Sequence, residues 1–214
     1  MKLVLLSGGV DSSTALAMAL TEDPNVMAVS FSYNQSHKEM ELKAAARLAQ
    51  HYGVKQWVMD LTPIFQGSQS SLNAANHLAI SEGDYASQDK PNTEVEFRNG
   101  VFIAILGSLA KQYGADEIWF GAHQDDSGII YPDCSPEFIA AMGLAIQLGT
   151  GGAVRLRAPF KDWTKADIVR AGVQLAVPYD LTYSCYAGTN PPCGKCGTCI
   201  DRRKAFQANG LDLV

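Results

Sequence analysis

The chain has 214 residues, 47% hydrophobic and 18% charged, and its 17 basic against 22 acidic residues give a formal net charge of −5 at pH 7. That length suits one α/β domain with a small appendage, and the acidic balance argues against a general surface for nucleic acid. No apolar run approaches the ~20 residues that cross a bilayer, and the chain starts with an apolar strand rather than a signal segment, so we expect a cytoplasmic protein without membrane contact.

The first predicted elements are a strand at residues 3–6 and a helix at residues 10–20, joined by Ser7-Gly8-Gly9. The strand is wholly apolar, which is typical of a parallel strand buried on both faces. A glycine pair lets the backbone turn tightly and come close to a ligand. The helix start supplies unpaired N–H groups and the positive end of the helix dipole, and both suit phosphate. The alternative is an ordinary strand–helix turn that binds nothing.

The loop at residues 7–12 reads Ser-Gly-Gly-Val-Asp-Ser. Its spacing matches neither the Walker A loop nor the dinucleotide-binding fingerprint. It resembles the SGGxDS pyrophosphate loop of the ATP pyrophosphatases, which cleave ATP between the α and β phosphates and leave AMP on a substrate oxygen. The resemblance implies that Ser7 and Asp11 act in catalysis, with Asp11 as the candidate Mg²⁺ ligand. The ATP-binding segment that it implies consists of Leu6, Ser7, Gly8, Gly9, Val10, Asp11, Ser12 and Ser13.

A second strand is predicted at residues 26–31 and a third at residues 56–59. Phe31 and Tyr33 follow at the carboxyl end of the second strand, the side on which doubly wound sheets bind ligands. We therefore expect Phe31 at the nucleotide and Tyr33 at the substrate. Residues 66–94 are dominated by Gln, Ser, Asn, Gly and Asp, which predicts either a lid over the substrate or a plain mobile insertion.

Ser36 and Glu39 have the spacing of a capping box for the helix after the second strand. His37 and Glu39 resemble a stretch that follows the second strand in deazaguanine nitrile synthases. That resemblance implies that His37 binds the substrate. The residue pattern alone favours a solvent-exposed histidine at the start of a helix.

A helix is predicted at residues 95–113 and a fourth strand at residues 117–121. Arg98 lies at the start of that helix, where the dipole disfavours a cation, so we expect its guanidinium to reach the phosphate of ATP or a carboxylate. The fourth strand brings Gly121 to the ligand side of the sheet, where we expect it to contact the nucleotide. The side chains that we expect to face the substrate base beyond it are His123, Asp125 and Asp126.

Residues 131–138 read Tyr-Pro-Asp-Cys-Ser-Pro-Glu-Phe, which predicts a loop followed by a capped helix. Taken alone, Asp133 suits a turn and Cys134 suits a buried thiol. The stretch is similar to the YPDC-x-PEF signature of the 7-cyano-7-deazaguanine (preQ0) synthase family. The resemblance implies a substrate site in which Asp133 accepts N–H groups from the guanine-like edge, while Tyr131 and Phe138 stack on the base.

A fifth strand is predicted at residues 154–158, and a capped helix begins after Thr164. Lys165 lies on the first turn of this helix, where the dipole disfavours it, and this indicates an external anion. The stretch resembles the P-x-x-x-x-[ST]-K-x-[DE]-I-V element of the same family, which implies a catalytic Lys165 near the nucleotide phosphates. The alternative is a solvated surface lysine.

Four of the five cysteines follow the pattern C-x7-C-x2-C-x2-C, which predicts a tight knuckle of thiolates that binds a metal. Four thiolates suit Zn²⁺ in a closed structural site, and an iron–sulfur cluster is the alternative. Residues 182–206 also resemble the C-terminal pattern of the synthase family. The predicted ligands are Cys185, Cys193, Cys196 and Cys199, with Cys134 excluded.

The resemblance covers nearly the whole chain and implies its fold. We expect a doubly wound parallel sheet of five strands in the order 3-2-1-4-5, with helices on both faces, like that of the adenine nucleotide alpha hydrolases. Residues 1–180 would form the ATP-binding domain and residues 181–214 a small zinc-binding subdomain. Members of the family are commonly homodimers, so we expect a homodimer here.

The implied reaction converts 7-carboxy-7-deazaguanine, ammonia and ATP into a nitrile through an adenylated acid and an adenylated amide. ATP, Mg²⁺ and Zn²⁺ are the implied cofactors. One alternative is a related adenylating ligase that stops at the amide or joins the deazaguanine to another amine. A second is a zinc-stabilised nucleotide-binding module without catalysis.

Overall fold

The computed structural model describes residues 1–84, 91–123 and 131–212, and five strands within these ranges form one parallel sheet. The strands in chain order are β1 (Lys2–Leu5), β2 (Val26–Ser32), β3 (Lys55–Asp60), β4 (Glu117–Trp119) and β5 (Arg155–Arg157). Their order across the sheet is β3-β2-β1-β4-β5, and the predicted fold is thereby confirmed.

Helices cover both faces of the sheet, as the crossover connections between parallel strands require. They are α1 (Val10–Glu22), α2 (Lys38–Tyr52), α3 (Thr62–Phe65), α4 (Arg98–Tyr113), α5 (Pro136–Gly149), α6 (Lys165–Gln174) and α7 (Gly197–Gln207). Single turns of 3₁₀ helix lie at Ala74–Asn76, Pro132–Cys134 and Tyr179–Leu181.

The central strand β1 separates two hydrophobic cores. Successive side chains of a strand point to opposite faces, so Leu3 packs among residues of α4 and α5, and Val4 among residues of α1, α2, α6 and α7. Both side chains are fully buried, and Val4 lies between Ala28 of β2 and Trp119 of β4. The wholly apolar sequence of β1 follows from burial on both faces.

Two predicted helix starts are wrong. α4 begins at Arg98 because Phe97, with a φ of 51°, has left-handed backbone that interrupts the helix before it. The capping box of Ser36 and Glu39 is absent, since the helix starts at Lys38 without a side-chain cap. The Ser36 hydroxyl instead donates a hydrogen bond to the backbone carbonyl of residue 186 at 3.2 Å.

The described part of residues 66–94 is partly packed, with buried positions at 68, 70–73 and 93 and exposed positions at 74, 75 and 77–79, and its role as a lid or an insertion stays a prediction. Its buried polar side chains are Ser68, Ser70, Ser71, Asn73 and Thr93. The segment also contacts the cysteine-rich region: Glu82 forms an antiparallel bridge with Cys196, and the backbone N–H of Gly83 donates to the Lys195 carbonyl at 2.9 Å. This segment therefore links the sheet domain to the C-terminal region.

The predicted domain boundary at residue 180 stays a prediction. Phe206, which lies beyond it, is fully buried in the core that α1 and α6 share. Its ring packs edge-on against Tyr179 with the centroids 5.0 Å apart. Within the ranges that the structure describes, no helix combines the length and apolar character that crossing a bilayer requires.

Candidate active site

A cavity of about 260 Å³ opens at the carboxyl ends of β1, β2 and β4. The predicted site residues that line it are Leu6, Ser7, Gly9, Val10, Asp11, Ser12, Phe31, Tyr33, His37, Arg98, Gly121, His123, Tyr131 and Lys165. Those that the structure does not bring to the cavity wall are Gly8, Ser13, Asp133 and Phe138. Asp125 and Asp126 lie outside the described residues.

The back of the loop between β1 and α1 is held by close contacts with α2 and by hydrogen bonds of Gly8 and Ser13. Gly8 has a φ of +89°, and a Cβ at this position would lie 2.7 Å from the backbone of both Glu41 and Ala45 on α2. Only glycine permits that backbone and that close approach. The Gly8 carbonyl accepts the N–H of Tyr183 at 2.9 Å, and the Ser13 hydroxyl donates to the Gly9 carbonyl at 2.6 Å. Gly8 and Ser13 therefore shape the loop from behind.

The front of the loop presents hydroxyl and N–H groups to the cavity. The Ser7 and Ser12 hydroxyl oxygens are 3.0 Å apart, and the backbone N–H of Ser7 donates to the Ser12 hydroxyl at 3.2 Å. The N–H groups in the first turn of α1 have no partner within the helix, and they carry the positive end of its dipole. Such a mouth is preorganised to bind phosphate oxygens.

A cluster of Asp11, Lys165 and His123 borders this mouth. Lys165 Nζ lies 2.7 Å from Asp11 Oδ2 and 3.2 Å from His123 Nε2. Burial by itself would raise the pKa of Asp11, but Lys165 and His123 outweigh it and hold that pKa well below its usual range. The second oxygen, Oδ1, is buried without a hydrogen-bond partner among the described residues. An ionised carboxylate with one unsatisfied oxygen beside a phosphate site fits a Mg²⁺ ligand.

Arg98 offers a positive charge to the same cavity. Its Nη1 donates to the Tyr33 hydroxyl at 3.0 Å, and its guanidinium lies 5.7 Å from the ring centroids of Tyr33 and Phe102. Its Nε is buried without a partner, and in the described part of the chain no carboxylate lies within salt-bridge distance of it. Because a guanidinium stays charged in proteins, the geometry favours an anionic group on the ligand.

His37 lies inside the cavity wall, so the interpretation of a solvent-exposed residue is wrong. Its side chain is 3% exposed, and burial lowers the pKa of its imidazole. The carboxylate near it belongs to Glu41, whose Oε2 is 3.7 Å from His37 Nε2. Glu39, which the sequence analysis singled out, lies two residues before Glu41 on the same helix and is exposed to solvent. Glu41 is a cavity residue that sequence reasoning missed.

Asp133 does not line the cavity, and its carboxylate contacts the start of α4. Its Oδ2 accepts the backbone N–H of Asn99 at 2.9 Å, which satisfies one of the N–H groups that a helix start leaves unpaired. Phe138 packs its ring against Phe97 with the centroids 5.7 Å apart. Tyr131 lines the cavity, and its hydroxyl is 2.8 Å from the Thr93 hydroxyl.

The four predicted metal ligands meet in space. Their sulfur atoms, those of Cys185, Cys193, Cys196 and Cys199, all lie within 4.8 Å of one another. Zn–S bonds of about 2.3 Å in a tetrahedron place sulfurs about 3.8 Å apart, so one ion fits this span. Backbone N–H groups of residues 193, 195 and 196 donate to the sulfurs at 3.3 to 3.5 Å, as thiolates require. The donor set therefore fits a metal ion.

Cys134 is separate from this cluster. Its sulfur accepts the Asn99 amide at 3.1 Å, and burial raises the pKa of its thiol to about 11. Cys134 is not among the residues whose ligand atoms meet in the four-cysteine cluster, so its position excludes it from the candidate metal site.

Comparison with known families identifies the chain. The family profile described as "Queuosine biosynthesis protein QueC" matches residues 1–210. The chain belongs to the QueC family.

Curated relatives of this QueC family member carry one name. The chain is 40% identical over 210 residues to the 7-cyano-7-deazaguanine synthase of Archaeoglobus fulgidus. This alignment covers 97% of this chain and 86% of the relative. It is 39% identical over 211 residues to the 7-cyano-7-deazaguanine synthase of Aquifex aeolicus, with 96% and 95% of the two chains covered.

Solved structures of lower similarity share the fold of this QueC family member. An NMN synthetase from Francisella tularensis superposes with a TM-score of 0.53 at 16% identity, over 100% of this chain and 78% of that one. A 4-thiouridine synthetase in complex with RNA and ATP gives a TM-score of 0.50 at 17% identity, over 97% and 50%. At this level of identity the likeness concerns the fold alone.

The four-cysteine knuckle supplies part of the cavity wall, and the sequence analysis of this QueC family member missed that contribution. The lining residues that flank its cysteines are Tyr183, Ser184, Tyr186, Thr198 and Asp201. Each lies within two positions of Cys185 or Cys199 in the sequence, so the cysteine pattern could have indicated these residues as candidates for the site. That pattern predicts the metal, whereas the contact between knuckle and sheet depends on the tertiary fold.

Proposed function

We propose that this protein makes 7-cyano-7-deazaguanine from 7-carboxy-7-deazaguanine, ammonia and ATP. The observation that carries the proposal is one cavity in which an SGGxDS loop faces Arg98, which has no carboxylate partner among the described residues, in a chain that belongs to the QueC family. The loop suits the phosphates of ATP, and the guanidinium suits an acidic substrate. Relatives named 7-cyano-7-deazaguanine synthase match nearly the whole chain.

The first half of the reaction turns the acid into an amide. A carboxylate oxygen attacks the α-phosphorus of ATP, the bond to the β-phosphate oxygen breaks, and pyrophosphate leaves. Ammonia then attacks the carbonyl carbon of the acyl adenylate. AMP leaves with its oxygen, and the nitrogen loses a proton to give the amide.

The second half removes the amide oxygen. That oxygen attacks a second ATP at the α-phosphorus, and pyrophosphate leaves again. The nitrogen then gives up its two protons while the carbon–oxygen bond to AMP breaks, which leaves the nitrile. Both halves need the same stabilisation of departing pyrophosphate, so one loop serves twice.

The residues of the loop and its neighbours have separate roles in binding the phosphates, stabilising the leaving group and holding Mg²⁺. Ser7 and the N–H groups at the start of α1 bind the β and γ phosphates, and Lys165 moves from Asp11 to the charge that develops on the leaving group. Asp11 would hold Mg²⁺ through its unpaired Oδ1, and the ion when bound neutralises phosphate charge. Phe31 and Gly121 would contact the nucleotide, while Tyr33, His37, His123 and Tyr131 would surround the substrate.

We propose Zn²⁺ as the metal of the four-cysteine site, because a closed set of four thiolates at tetrahedral distances is typical of structural zinc. Its ligands would pin the C-terminal segment against the sheet. A homodimer in the reducing cytoplasm is our expectation for the assembled protein.

The test is ATP–pyrophosphate exchange with 7-carboxy-7-deazaguanine, followed by analysis of the product with ammonia present. We expect exchange that depends on the acid, two AMP per product, and a nitrile. An amide with one AMP would identify a ligase that stops halfway. Exchange that does not depend on the acid would refute the proposed substrate. No exchange at all would refute the proposal and favour a nucleotide-binding module without catalysis.

A further inference from the structure

We propose that Glu41 recognises the donor edge of the substrate base. Its carboxylate accepts hydrogen bonds from the ring N–H and from the exocyclic amine of a 2-amino-4-oxopyrimidine ring. The inference rests on the proposed function, since it assigns a residue to the part of the deazaguanine acid that the reaction leaves unchanged.

Glu41 lies in the cavity wall on α2, beside the phosphate loop. Its backbone carbonyl is so close to Gly8 that a Cβ there would lie 2.7 Å away. Its side chain is 19% exposed and lines the cavity. A base bound to this carboxylate is therefore next to the loop at which adenylation would occur.

Gln35 holds the carboxylate in one orientation. Gln35 is buried, and its Nε2 donates to Glu41 Oε2 at 2.8 Å and to the Phe31 carbonyl at 3.2 Å. Its Oε1 accepts the backbone N–H of Tyr33 at 2.8 Å, so reversing the amide would lose all three bonds. The bond from Gln35 uses one of roughly four acceptor positions of a carboxylate. The remaining positions of Glu41 are open to a ligand.

The groups around Glu41 do not neutralise it. His37 Nε2 is 3.7 Å away, beyond a normal hydrogen bond, and burial lowers the pKa of this imidazole. His37 Nδ1 is buried without a hydrogen-bond partner in the described part of the chain, so the same wall holds a second unsatisfied polar group. The rings of His37 and Tyr186 lie 5.0 Å apart, and Phe31 and Tyr33 also line the cavity. This wall suits a flat, polar-edged ring.

A carboxylate distinguishes a guanine-type ring from the adenine of ATP. The guanine-type edge presents two adjacent donors, which match the two acceptor oxygens of a carboxylate. The adenine edge presents one donor beside an acceptor nitrogen, whose lone pair would face a carboxylate lone pair. Glu41 therefore favours the acid substrate over the nucleotide.

The first test changes the ligand and leaves the protein intact. ATP–pyrophosphate exchange is measured with 7-carboxy-7-deazaguanine and with the analogue whose 2-amino group is replaced by hydrogen. We expect the KM of the analogue to be roughly tenfold higher or more, because the charged acceptor loses one donor. Equal KM values for the two acids would overturn the role of Glu41.

The second test uses Glu41→Gln, with the exposed Glu39→Gln on the same helix as matched control. We expect Glu41→Gln to raise the KM of the natural acid roughly tenfold or more, to leave the KM of ATP unchanged and to reduce the preference for the 2-amino group. The control should match the wild type in all three. A higher KM for ATP in Glu41→Gln, or an unchanged preference, would overturn the inference. A wild-type protein that activates neither acid would refute the proposed function as well.

Discussion

Gly8 and Gly9 are neighbours in the phosphate loop, yet the structure constrains them differently. Gly8 has left-handed backbone and faces α2, so Gly8→Ala should lower the free energy of unfolding by about 1–3 kcal/mol. Gly9 has a φ of −81°, and a Cβ there would have its nearest neighbour at 3.5 Å. Gly9→Val should therefore fold normally, while its side chain occupies space in the cavity that phosphate needs. Urea unfolding and AMP release, measured on both variants, check this. Wild-type AMP release by Gly9→Val would contradict the role of the loop.

Asp133 provides a second prediction at the scale of one residue. Because its carboxylate caps α4 through the N–H of Asn99, Asp133→Ala should cost about 1 kcal/mol of unfolding free energy. Asp133→Asn keeps an acceptor and should lose less. Neither variant should directly change the affinity for the deazaguanine acid. Calorimetry with the deazaguanine acid checks this. If a folded Asp133→Asn binds the acid at least tenfold more weakly, Asp133 contacts the base, as the resemblance implies.

At the scale of an element, the start of α6 positions Lys165. Thr164 and Asp167 form a complete capping box there, with the Thr164 hydroxyl donating to Asp167 at 2.7 Å and accepting the Asp167 N–H at 3.1 Å. Thr164→Ala should cost about 1 kcal/mol of unfolding free energy and should loosen the turn that carries Lys165.

The same cap predicts a dependence of stability on pH. The hydrogen bond from Thr164 lowers the pKa of Asp167 from its ordinary 3.8. A lowered pKa in the folded state stabilises the fold above 3.8, and the stabilisation is lost as pH falls below that value. The stability difference between wild type and Asp167→Asn should therefore shrink between neutral pH and pH ~3. Urea unfolding across this range measures it, and a constant difference would show that the ionised cap contributes nothing.

At the scale of the whole molecule, we expect both the stability and the activity of the protein to depend on metal binding by the four-cysteine knuckle. Cys196→Ala should lose the metal, melt at a lower temperature and lose activity, because Tyr183, Ser184 and Tyr186 approach the cavity through the knuckle. Cys134→Ala is the control that should retain one metal per chain. Metal analysis and thermal melting distinguish the two, and equal metal loss in both variants would contradict the ligand assignment.

The sequence by itself determined the features that depend on neighbours along the chain. The apolar run of β1, the glycine turn into α1, the cap at Thr164 and the cysteine spacing each carry a local signal, because strand burial, loop closure, capping and a metal knuckle act over a few residues. Contacts between elements were decided only by the tertiary structure. Glu41 lines the cavity because α2 starts at Lys38 and packs on Gly8. Asp133 does not line it, and its carboxylate accepts the Asn99 N–H at the start of α4. Both outcomes depend on contacts between a helix start and a loop that are far apart in the sequence, and the spacing of residues along the chain does not predict such contacts.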